Sequence, residues 1–153
     1  MSPGAMTPEQ VLAAIPQRQP FRFIDEIVEL DHEHIVATYR FRPDADFYRG
    51  HFPGNPVTPG VILIETMAQA GIVALGIYLL SVEGSAYDPE KTMTLFTEAN
   101  VEFGALVRPG ERVTVHAAKV FWRRRKLRAR AEMTLDDGTS VCSGTLSGMG
   151  VAR

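Results

Sequence analysis

Two side chains within one short stretch could together carry out acid–base chemistry on a carbonyl compound. His51 stands in a loop rich in glycine and proline, residues 50–60, and Glu65 stands in the long apolar run that follows, residues 61–80. A histidine side chain can accept a proton near neutral pH. A carboxyl group among apolar neighbours has a raised pKa, because burial disfavours its charged form. The stretch therefore predicts a base, His51, and a protonated acid, Glu65.

The start of the predicted long helix could hold a carbonyl oxygen. With Thr58 as N-cap and Pro59 as the first helical residue, the N–H of Gly60 would point out of the helix where the dipole favours negative charge. Glycine keeps this N–H open to a ligand. Glu65 would lie about 7.5 Å further along the axis, with its side chain leaning back toward the helix start. Gln69, one turn beyond, could hydrogen-bond the carboxylate and orient it.

Each of these residues alone has a simpler interpretation. A loop histidine is commonly a surface residue, and a glutamate in an apolar helix can pair with an arginine of a strand or of a second subunit. The combination of His51 and Glu65 favours a functional site. His32 and His34 lie beside a polar turn and are expected to be solvated rather than metal ligands. Neither a metal nor a cofactor is expected.

Composition limits the classes of protein to consider. The 153 residues, 45% hydrophobic and 22% charged, suit a single domain over residues 1–153. The net charge of -2 gives no general attraction to nucleic acid or to an anionic membrane. The single cysteine, Cys142, is expected to be buried in a strand. Because residues 1–16 lack a signal-peptide pattern and no internal disulfide can form, a reducing cytoplasm is expected.

The apolar run is also long enough to span a bilayer. Glu65 and Gln69 would then lie in the hydrocarbon, and no Lys or Arg closely brackets residues 61–80. A helix that is apolar nearly all round is otherwise buried in a core, and the strand-like segments elsewhere need such a helix to pack against. No membrane span is expected.

The rest of the sequence predicts a short helix and five or six antiparallel strands. Thr7 and Gln10 match a capping box, and this helix should end near Ile15, before Pro16. Alternation of apolar and polar residues predicts the strands. These strands cover residues 21–30, 34–42, 93–103, 113–122, 127–135 and 139–151.

The predicted fold class is α+β, with a curved antiparallel sheet wrapped around one long central helix. A change in the apolar alternation predicts a bulge near Ala117 and Ala118. Asp137 and Gly138 predict a tight hairpin turn before the last strand.

A cluster of basic residues surrounds another predicted turn. It can be the solvated face of a strand, which is the simplest interpretation of a charged cluster. It could also dock an acidic protein. Both interpretations stay open for the residues Arg123, Arg124, Arg125, Lys126, Arg128 and Arg130.

The sequence of residues 50–71, GHFPGNPVTPGVILIETMAQAG, closely resembles the signature of the 3-hydroxyacyl-[acyl-carrier-protein] dehydratases of the FabZ type. The resemblance extends to residues 20–25, PFRFID, and more weakly to residues 101–103 and 109–110. It implies a hotdog fold and a substrate carried by acyl carrier protein. It also implies a homodimer, often further assembled into a hexamer.

The resemblance implies a role for each site residue. His51 is the catalytic base, Glu65 of the other subunit is the acid, and the N–H of Gly60 binds the thioester carbonyl. The helix spacing and the N-cap position add Gln69 and Thr58 as supporting residues. The expected reaction removes water from a 3-hydroxyacyl thioester and leaves a trans-2-enoyl thioester. Related FabA-type dehydratase/isomerases usually carry Asp at the position of Glu65, which favours simple dehydration here. Candidate walls of the apolar acyl tunnel are Phe52, Val61, Ile62, Ile72 and Val73.

Three departures from the family pattern leave the acyl substrate open. Thr58 stands where methionine is usual, Gln17 where histidine is common, and Arg22 where an apolar residue is expected. Fatty acid synthesis and a specialised pathway such as aryl polyene assembly are both compatible with the sequence. Two other functions also stay open, a hotdog acyl thioesterase and a non-catalytic acyl-binding or assembly subunit, although binding alone would not require both His51 and Glu65.

Overall fold

The computed structural model describes residues 4–85, 88 and 90–153. Helix α1 spans Pro8–Ala14, a 3₁₀ helix spans Asp46–Arg49, and the long helix α2 spans Gly60–Val82. Six strands complete this described part of the chain: β1 Glu26–Leu30, β2 His34–Arg40, β3 Thr92–Phe103, β4 Arg112–Arg123, β5 Lys126–Leu135 and β6 Ser140–Ala152. The predicted α+β class is confirmed.

The six described strands form an antiparallel sheet in the order β1-β2-β4-β5-β6-β3. Helix α2 packs across its inner face, and a Cβ added at Gly71 would lie only 3.0 Å from the Cβ of Ala117. This close approach confirms the predicted arrangement of a sheet around one central helix. The alternation predicted for β5 is also confirmed, because its inward residues are at most 1% exposed: Leu127, Ala129, Ala131 and Met133.

Helix α1 begins with the predicted capping box. The Thr7 hydroxyl accepts from the Gln10 N–H at 3.2 Å, and the Gln10 side chain accepts from the Thr7 N–H at 2.9 Å. Val11 on this helix and Ile15 just after it are fully buried. The helix ends at Ala14, within one residue of the predicted end.

Strand β1 is shorter than predicted, since it begins at Glu26 and not at residue 21. The preceding backbone bonds to helix α2 instead of forming a strand. The side chain of Gln69 accepts from the Phe23 N–H and donates to the Phe21 carbonyl. We call residues 20–25 the anchor segment, because these bonds fasten it to α2.

The bulge in β4 lies at Val120, so its predicted position near Ala117 and Ala118 is wrong. Lys119 and Phe121 pair with neighbouring residues of β5, which leaves Val120 as the extra residue. Strand β2 pairs in regular register with β4 as far as Ala118. The extra residue therefore lies beyond the end of β2, where β4 no longer pairs with β2 and is free to bulge.

Helix α2 is continuous but has a π-helical middle, Gln69–Ala74, which was not predicted. By length and composition it could cross a membrane, yet 67% of its most apolar window is buried inside the protein. The prediction of a core helix, not a membrane span, is therefore supported.

Strand β3 lies at an edge of the sheet and contains a bulge. The alternation of residues that point toward α2 shifts by one position at this bulge. Thr94 and Phe96 line a cavity beside α2, whereas Met93 and Leu95 are 39% and 45% exposed. The register shifts between Phe96 and Glu98. The first part of β3 therefore presents apolar side chains to the outside.

Candidate active site

The backbone of its own loop orients the His51 ring. Nδ1 of His51 lies 2.9 Å from the carbonyl oxygen of Val57. A carbonyl can only accept, so the hydrogen of the neutral ring is on Nδ1 and the lone pair is on Nε2. The His51 carbonyl in turn accepts from the Val57 N–H at 3.0 Å. The loop therefore presents Nε2 of His51 as a base.

Thr58 supports this loop, but it is not the predicted N-cap. Helix α2 begins at Gly60 with Pro59 as N-cap, and no side chain caps it. The Thr58 hydroxyl lies 2.5 Å from the Tyr48 hydroxyl in a buried position, and the Thr58 N–H donates to the Val107 carbonyl at 2.8 Å. Because Tyr48 engages its hydroxyl, Thr58 fastens the loop to the 3₁₀ helix and is not available to cap α2.

Gly60 places an open N–H at the start of α2. Within the described part of the chain this N–H has no hydrogen-bond partner. The helix dipole favours negative charge at this end. A Cβ at position 60 would lie 3.2 Å from Cζ of Phe103, closer than packed side chains normally allow. Glycine is therefore favoured both by the packing of Phe103 and by access to the N–H.

Gln69 holds Glu65 in place and is itself fixed by the anchor segment. Its Oε1 accepts from the Phe23 N–H at 2.7 Å, while Nε2 donates to the Phe21 carbonyl and to Oε2 of Glu65, both at 2.9 Å. Gln69 is fully buried. Both amide hydrogens are used, so the amide cannot turn without losing bonds. The structure thus joins Glu65 to Gln69 at the spacing that suggested their pairing.

The environment of Glu65 favours its protonated form. Burial raises the pKa of the Glu65 carboxyl, and the hydrogen bond from Gln69 partly opposes this rise. Because Oε2 accepts from Gln69, the hydrogen of the protonated carboxyl is on Oε1. Glu65 can therefore offer an acidic O–H from Oε1 while Gln69 holds the other oxygen.

Two small cavities adjoin along α2. The first, which we call the acid cavity, has a volume of about 50 Å³ and is lined by Gln17, Glu65, Ala68, Ile72, Val73, Thr94 and Phe96. The second, the acyl slot, has a volume of about 20 Å³, and its walls include Ile72, Gly76, Leu80, Trp122, Leu127 and Met149. The two share Ile72, Val73 and Thr94. The two cavities therefore lie next to each other along α2, from Glu65 toward the C-terminal end of the helix.

The predicted acyl-pocket residues occupy different environments. Ile72 and Val73 form the shared wall of both cavities, and Ile62 packs partly buried against the core. Phe52 and Val61 are 57% and 72% exposed and line neither cavity.

His51 also stands apart from both cavities. In the described part of one chain it is not among the residues that line the acid cavity with Glu65. A single chain therefore joins Glu65 to Gln69 and places Glu65 in the acid cavity, but it does not bring His51 and Glu65 around a common cavity.

The basic cluster is spread over the turn between β4 and β5 and the strands beside it. Arg124 and Arg125 make the tight turn between β4 and β5, with positive φ angles of 53° and 63°, as a type I′ turn requires. Arg125 also lines the acyl slot. The remaining predicted docking residues flank this turn or lie further along β5: Arg123, Lys126, Arg128 and Arg130.

The remaining histidines and the cysteine have ordinary structural environments. His34 lies between two carboxylates, with Nδ1 2.9 Å from Asp31 and Nε2 3.6 Å from Glu29. Among the residues that the structure describes, no three His, Cys, Asp or Glu side chains are grouped so that they could hold a metal ion. Cys142 is buried in β6 as predicted, and burial raises the pKa of its thiol to about 11.

Several contacts at the site were not predicted. The backbones of Phe21 and Phe23 hold Gln69, the hydroxyl of Tyr48 engages Thr58, and the ring of Phe103 lies against Gly60. A hydrogen bond made by a backbone group does not depend on residue type, so the sequence cannot indicate it. An apolar residue in a strand, such as Phe103, signals burial or packing but not the partner against which it packs.

The chain matches a known family over most of its length. The family described as "FabA-like domain" matches residues 15–145. A 3-hydroxyacyl-[acyl-carrier-protein] dehydratase FabZ of Oenococcus oeni is 34% identical over 142 residues, which cover 92% of this chain and 96% of the relative. A protein of the same name from Lactobacillus helveticus is 34% identical over 139 residues, or 90% and 88% of the two chains.

Solved structures show the same fold at lower identity. The dehydratase heterocomplex ApeI:P of Xenorhabdus doucetiae matches with a TM-score of 0.76 and 16% identity, over 94% of this chain and 91% of that chain. The thioesterase HI1161 of Haemophilus influenzae matches with a TM-score of 0.67 and 18% identity, over 96% and 92%. At such identities these likenesses show the hotdog fold alone. The family match and the two relatives confirm the resemblance found in residues 50–71, and this chain belongs to the FabA-like family.

Proposed function

We propose that this chain is a 3-hydroxyacyl-[acyl-carrier-protein] dehydratase, the activity for which its relatives are named. The observation that carries the proposal is the Glu65 carboxyl, held by Gln69 at 2.9 Å in the wall of a cavity that adjoins the acyl slot. Hydroxide is a poor leaving group, and an acid with a raised pKa can protonate it as it departs. Family membership supports dehydration in fatty acid or related acyl chain synthesis.

In the proposed mechanism each site residue either transfers a proton or stabilises a developing charge. Nε2 of His51 removes the proton from C2 of the substrate. The C2–H electron pair becomes the C2–C3 double bond as the C3–O bond breaks, and the departing hydroxyl takes the proton from Oε1 of Glu65 to leave as water. The N–H of Gly60 stabilises the negative charge that develops on the thioester oxygen. Proton transfer from His51 back to Glu65, through solvent, restores the enzyme.

A second copy of the chain would bring the base to the acid. Strand β3 exposes apolar side chains on both of its faces at the edge of the sheet, and exposed apolar residues on an edge strand are typical of a pairing surface. These residues, each at least 39% exposed, are Met93, Leu95, Phe96 and Phe103. We therefore include in the proposal the homodimer that the resemblance implies, in which His51 of one subunit serves Glu65 of the other, with further assembly into a hexamer.

Co-expression tests this shared site. His51→Ala and Glu65→Gln subunits should each be inactive alone, while the mixed dimer contains one site with both residues intact. Recovery of activity on mixing supports sharing between subunits. If the two inactive variants stay inactive when mixed dimers have formed, the base and acid belong to the same chain.

Acyl carrier protein is the proposed partner, and the basic turn at Arg124 and Arg125 is the candidate docking surface. Arg125 lines the acyl slot with Leu80, which lies roughly 30 Å along α2 from Gly60 at 1.5 Å per residue. A carrier docked at this turn would therefore have to serve the site of another subunit.

Charge reversal tests the docking surface. Arg124→Glu should raise KM for carrier-bound substrate and spare a short free thioester. Arg112→Glu, an exposed residue at the opposite end of β4 from the turn, is the matched control. Equal losses on both substrates, or an equal effect of the control, would exclude docking at the turn.

A cytoplasmic location is part of the proposal. The long apolar helix is buried in the core, and the one cysteine is a buried thiol. Both features suit a protein that works in a reducing aqueous compartment.

Mass spectrometry of a 3-hydroxyacyl carrier protein incubated with the enzyme tests the function. The dehydratase should produce a carrier that has lost one water with its thioester intact. A thioesterase would instead release the free carrier thiol, and a non-catalytic subunit would leave the carrier unchanged. Failure to produce the water-loss species across short, long and aryl-substituted chains would overturn the assignment.

A further inference from the structure

The ring of Phe52 lies against the ring of the candidate base. The ring centroids of His51 and Phe52 are 4.4 Å apart, and the two ring planes are inclined by 35°. Aromatic rings at this separation are in contact over part of their faces. Phe52 lines neither the acid cavity nor the acyl slot. The ring therefore packs on the base and does not form a wall of either cavity.

The backbone of the loop holds both residues in place. The Phe52 carbonyl accepts from the Asn55 N–H at 2.9 Å, which closes a tight turn. Gly54 in this turn has a φ angle of 82°, as the third residue of a type II turn requires. His51, just before the turn, is bonded to Val57 through both its ring and its carbonyl. The contact between the two rings is therefore set by a fixed stretch of backbone.

The contacts of the His51 ring leave its reactive nitrogen open. Nδ1 lies 2.9 Å from the Val57 carbonyl oxygen, and the Phe52 ring covers part of one face of the imidazole. Within the described part of the chain, Nε2 makes no hydrogen bond. A rotation of the imidazole would break the Nδ1 bond and the ring contact together. The base is thus held in one orientation with Nε2 available.

The ring contact also bears on the charge that His51 acquires. When Nε2 takes the C2 proton of the substrate, the neutral imidazole becomes an imidazolium. The face of an aromatic ring carries partial negative charge and attracts a cation within about 6 Å of the ring centroid. The separation of 4.4 Å lies within that range. Because the neutral imidazole gains less from this attraction, the ring stabilises the transition state more than the resting state.

We propose that Phe52 is a positioning residue for the base: its ring holds the His51 imidazole and stabilises the positive charge that the imidazole gains. This inference rests on the proposed dehydratase function and replaces the acyl-pocket role expected of Phe52. The stabilisation arises only as the proton is transferred, so its loss should appear in kcat and not in KM.

Steady-state kinetics of Phe52 variants on a 3-hydroxyacyl carrier protein test this role. Phe52→Leu should lower kcat about tenfold with KM unchanged. Phe52→Tyr keeps the ring and should retain most of the kcat, because the position is 57% exposed and its hydroxyl can reach solvent. Phe121→Leu removes a ring that is 43% exposed on strand β4 and is the matched control, which should keep the wild-type kcat.

Two results of these kinetics would overturn the inference. A wild-type kcat in Phe52→Leu would show that the base does not need a ring beside it. A raised KM with an unchanged kcat would show that Phe52 contacts the substrate instead. Size-exclusion chromatography should show that the variants keep the oligomeric state of the wild type, because Phe52 lies on the loop that the proposed dimer shares.

Fluorinated phenylalanines at position 52 test the charge effect while they keep the shape of the ring. Each added fluorine weakens the negative charge on the ring face, so kcat should fall stepwise from phenylalanine through the monofluoro, difluoro and trifluoro forms. A constant kcat along this series would contradict stabilisation of the imidazolium by the ring, even if Phe52→Leu did not assemble.

Proton NMR of the resting enzyme tests the contact without turnover. His51 is one of four histidines, and its ring signals are those absent from His51→Ala. A phenyl ring shifts protons above its face upfield, so these signals should move downfield in Phe52→Leu and stay in place in Phe121→Leu. Unmoved signals in Phe52→Leu would show that the rings are not in contact. The water-loss assay of the wild type tests the dehydratase function separately, because the NMR comparison needs no substrate.

Discussion

The side chain of Gln69 donates from Nε2 to Oε2 of Glu65 across 2.9 Å, and its other hydrogen bonds go to the backbone of Phe21 and Phe23. This relationship links the anchor segment to the candidate acid. The orientation of Glu65 therefore depends on residues more than 40 positions earlier in the chain. Substitutions that disturb the anchor segment should lower both kcat and the free energy of unfolding.

Gln69→Met should reduce kcat about 100-fold, because Glu65 loses the bond that aligns it. The Gln69 hydrogen bond lowers the pKa of Glu65, so its removal should raise that pKa further. Activity that needs protonated Glu65 is lost as pH rises through its pKa, and the alkaline limb of the kcat profile should therefore move to higher pH. A pH–rate profile of both proteins checks this shift, and a move to lower pH would contradict it.

The same variant should be less stable by about 2–4 kcal/mol, since the buried Phe23 N–H and the partly buried Phe21 carbonyl both lose their partner. Urea unfolding measures this loss. Thr66→Val is the control, because Thr66 is buried on the same helix but its hydroxyl bonds only to the Ile62 carbonyl. It should leave the alkaline limb unchanged.

Removing either hydroxyl of the Tyr48–Thr58 pair should destabilise the loop that carries His51. Tyr48→Phe and Thr58→Val each leave one buried hydroxyl unpaired, at a cost of about 1–3 kcal/mol in unfolding free energy. The double variant removes both groups and should cost less than the sum of the single changes. Urea unfolding of the four proteins measures this coupling. Strictly additive losses would show that the two hydroxyls do not stabilise each other.

Gly60→Ala should lower kcat/KM about 100-fold, because a methyl group restricts access to the N–H that is proposed to bind the carbonyl. It should also destabilise the protein by about 1–3 kcal/mol, since the new Cβ would lie 3.2 Å from the Phe103 ring. Adding Phe103→Leu should relieve the crowding and restore stability but not activity. If Phe103→Leu restored both stability and kcat/KM, glycine would be required at position 60 only for packing against the Phe103 ring.

Trp122→Ala should shift the substrate preference toward longer acyl chains. Trp122 lines the acyl slot with Leu80, and its indole N–H donates to Oε1 of Glu83 at 2.5 Å, which holds the ring in place. Removing the ring should improve kcat/KM for long chains relative to short ones by about tenfold. Trp122→Phe keeps an aromatic wall and should shift the preference less. An unchanged chain-length profile in Trp122→Ala would show that the acyl chain lies elsewhere.

Much of the fold could be predicted because local patterns and the tertiary structure agree. The period-2 alternation of β5 and the capping box of α1 each depend on residues close in sequence, and both occur as predicted. The bulge in β4 was misplaced because its position depends on where β2 stops pairing, which is a non-local fact. The anchor segment was predicted to be a strand because its apolar pattern does not show that α2 would engage its backbone.

The same distinction applies to the site. The spacing of Glu65 and Gln69 on one helix predicted their hydrogen bond, since helix geometry fixes which side chains meet. Thr58 has the residue type of an N-cap, but the distant Tyr48 engages its hydroxyl. The burial of Oε1 of Gln17 could not be predicted, because burial of a single atom depends on the packing of several elements.

The measurement that tests the central claim most directly is single-turnover mass spectrometry of a 3-hydroxyacyl carrier protein with three proteins: the wild type, His51→Ala and Glu65→Gln. Control variants His116→Ala and Glu26→Gln change the same residue types at exposed positions of the sheet. We expect the wild type and both controls to form the water-loss species with the thioester intact. His51→Ala and Glu65→Gln should each form it at least about 100-fold more slowly. Water loss at the wild-type rate by either site variant would contradict the assignment of that residue as base or acid.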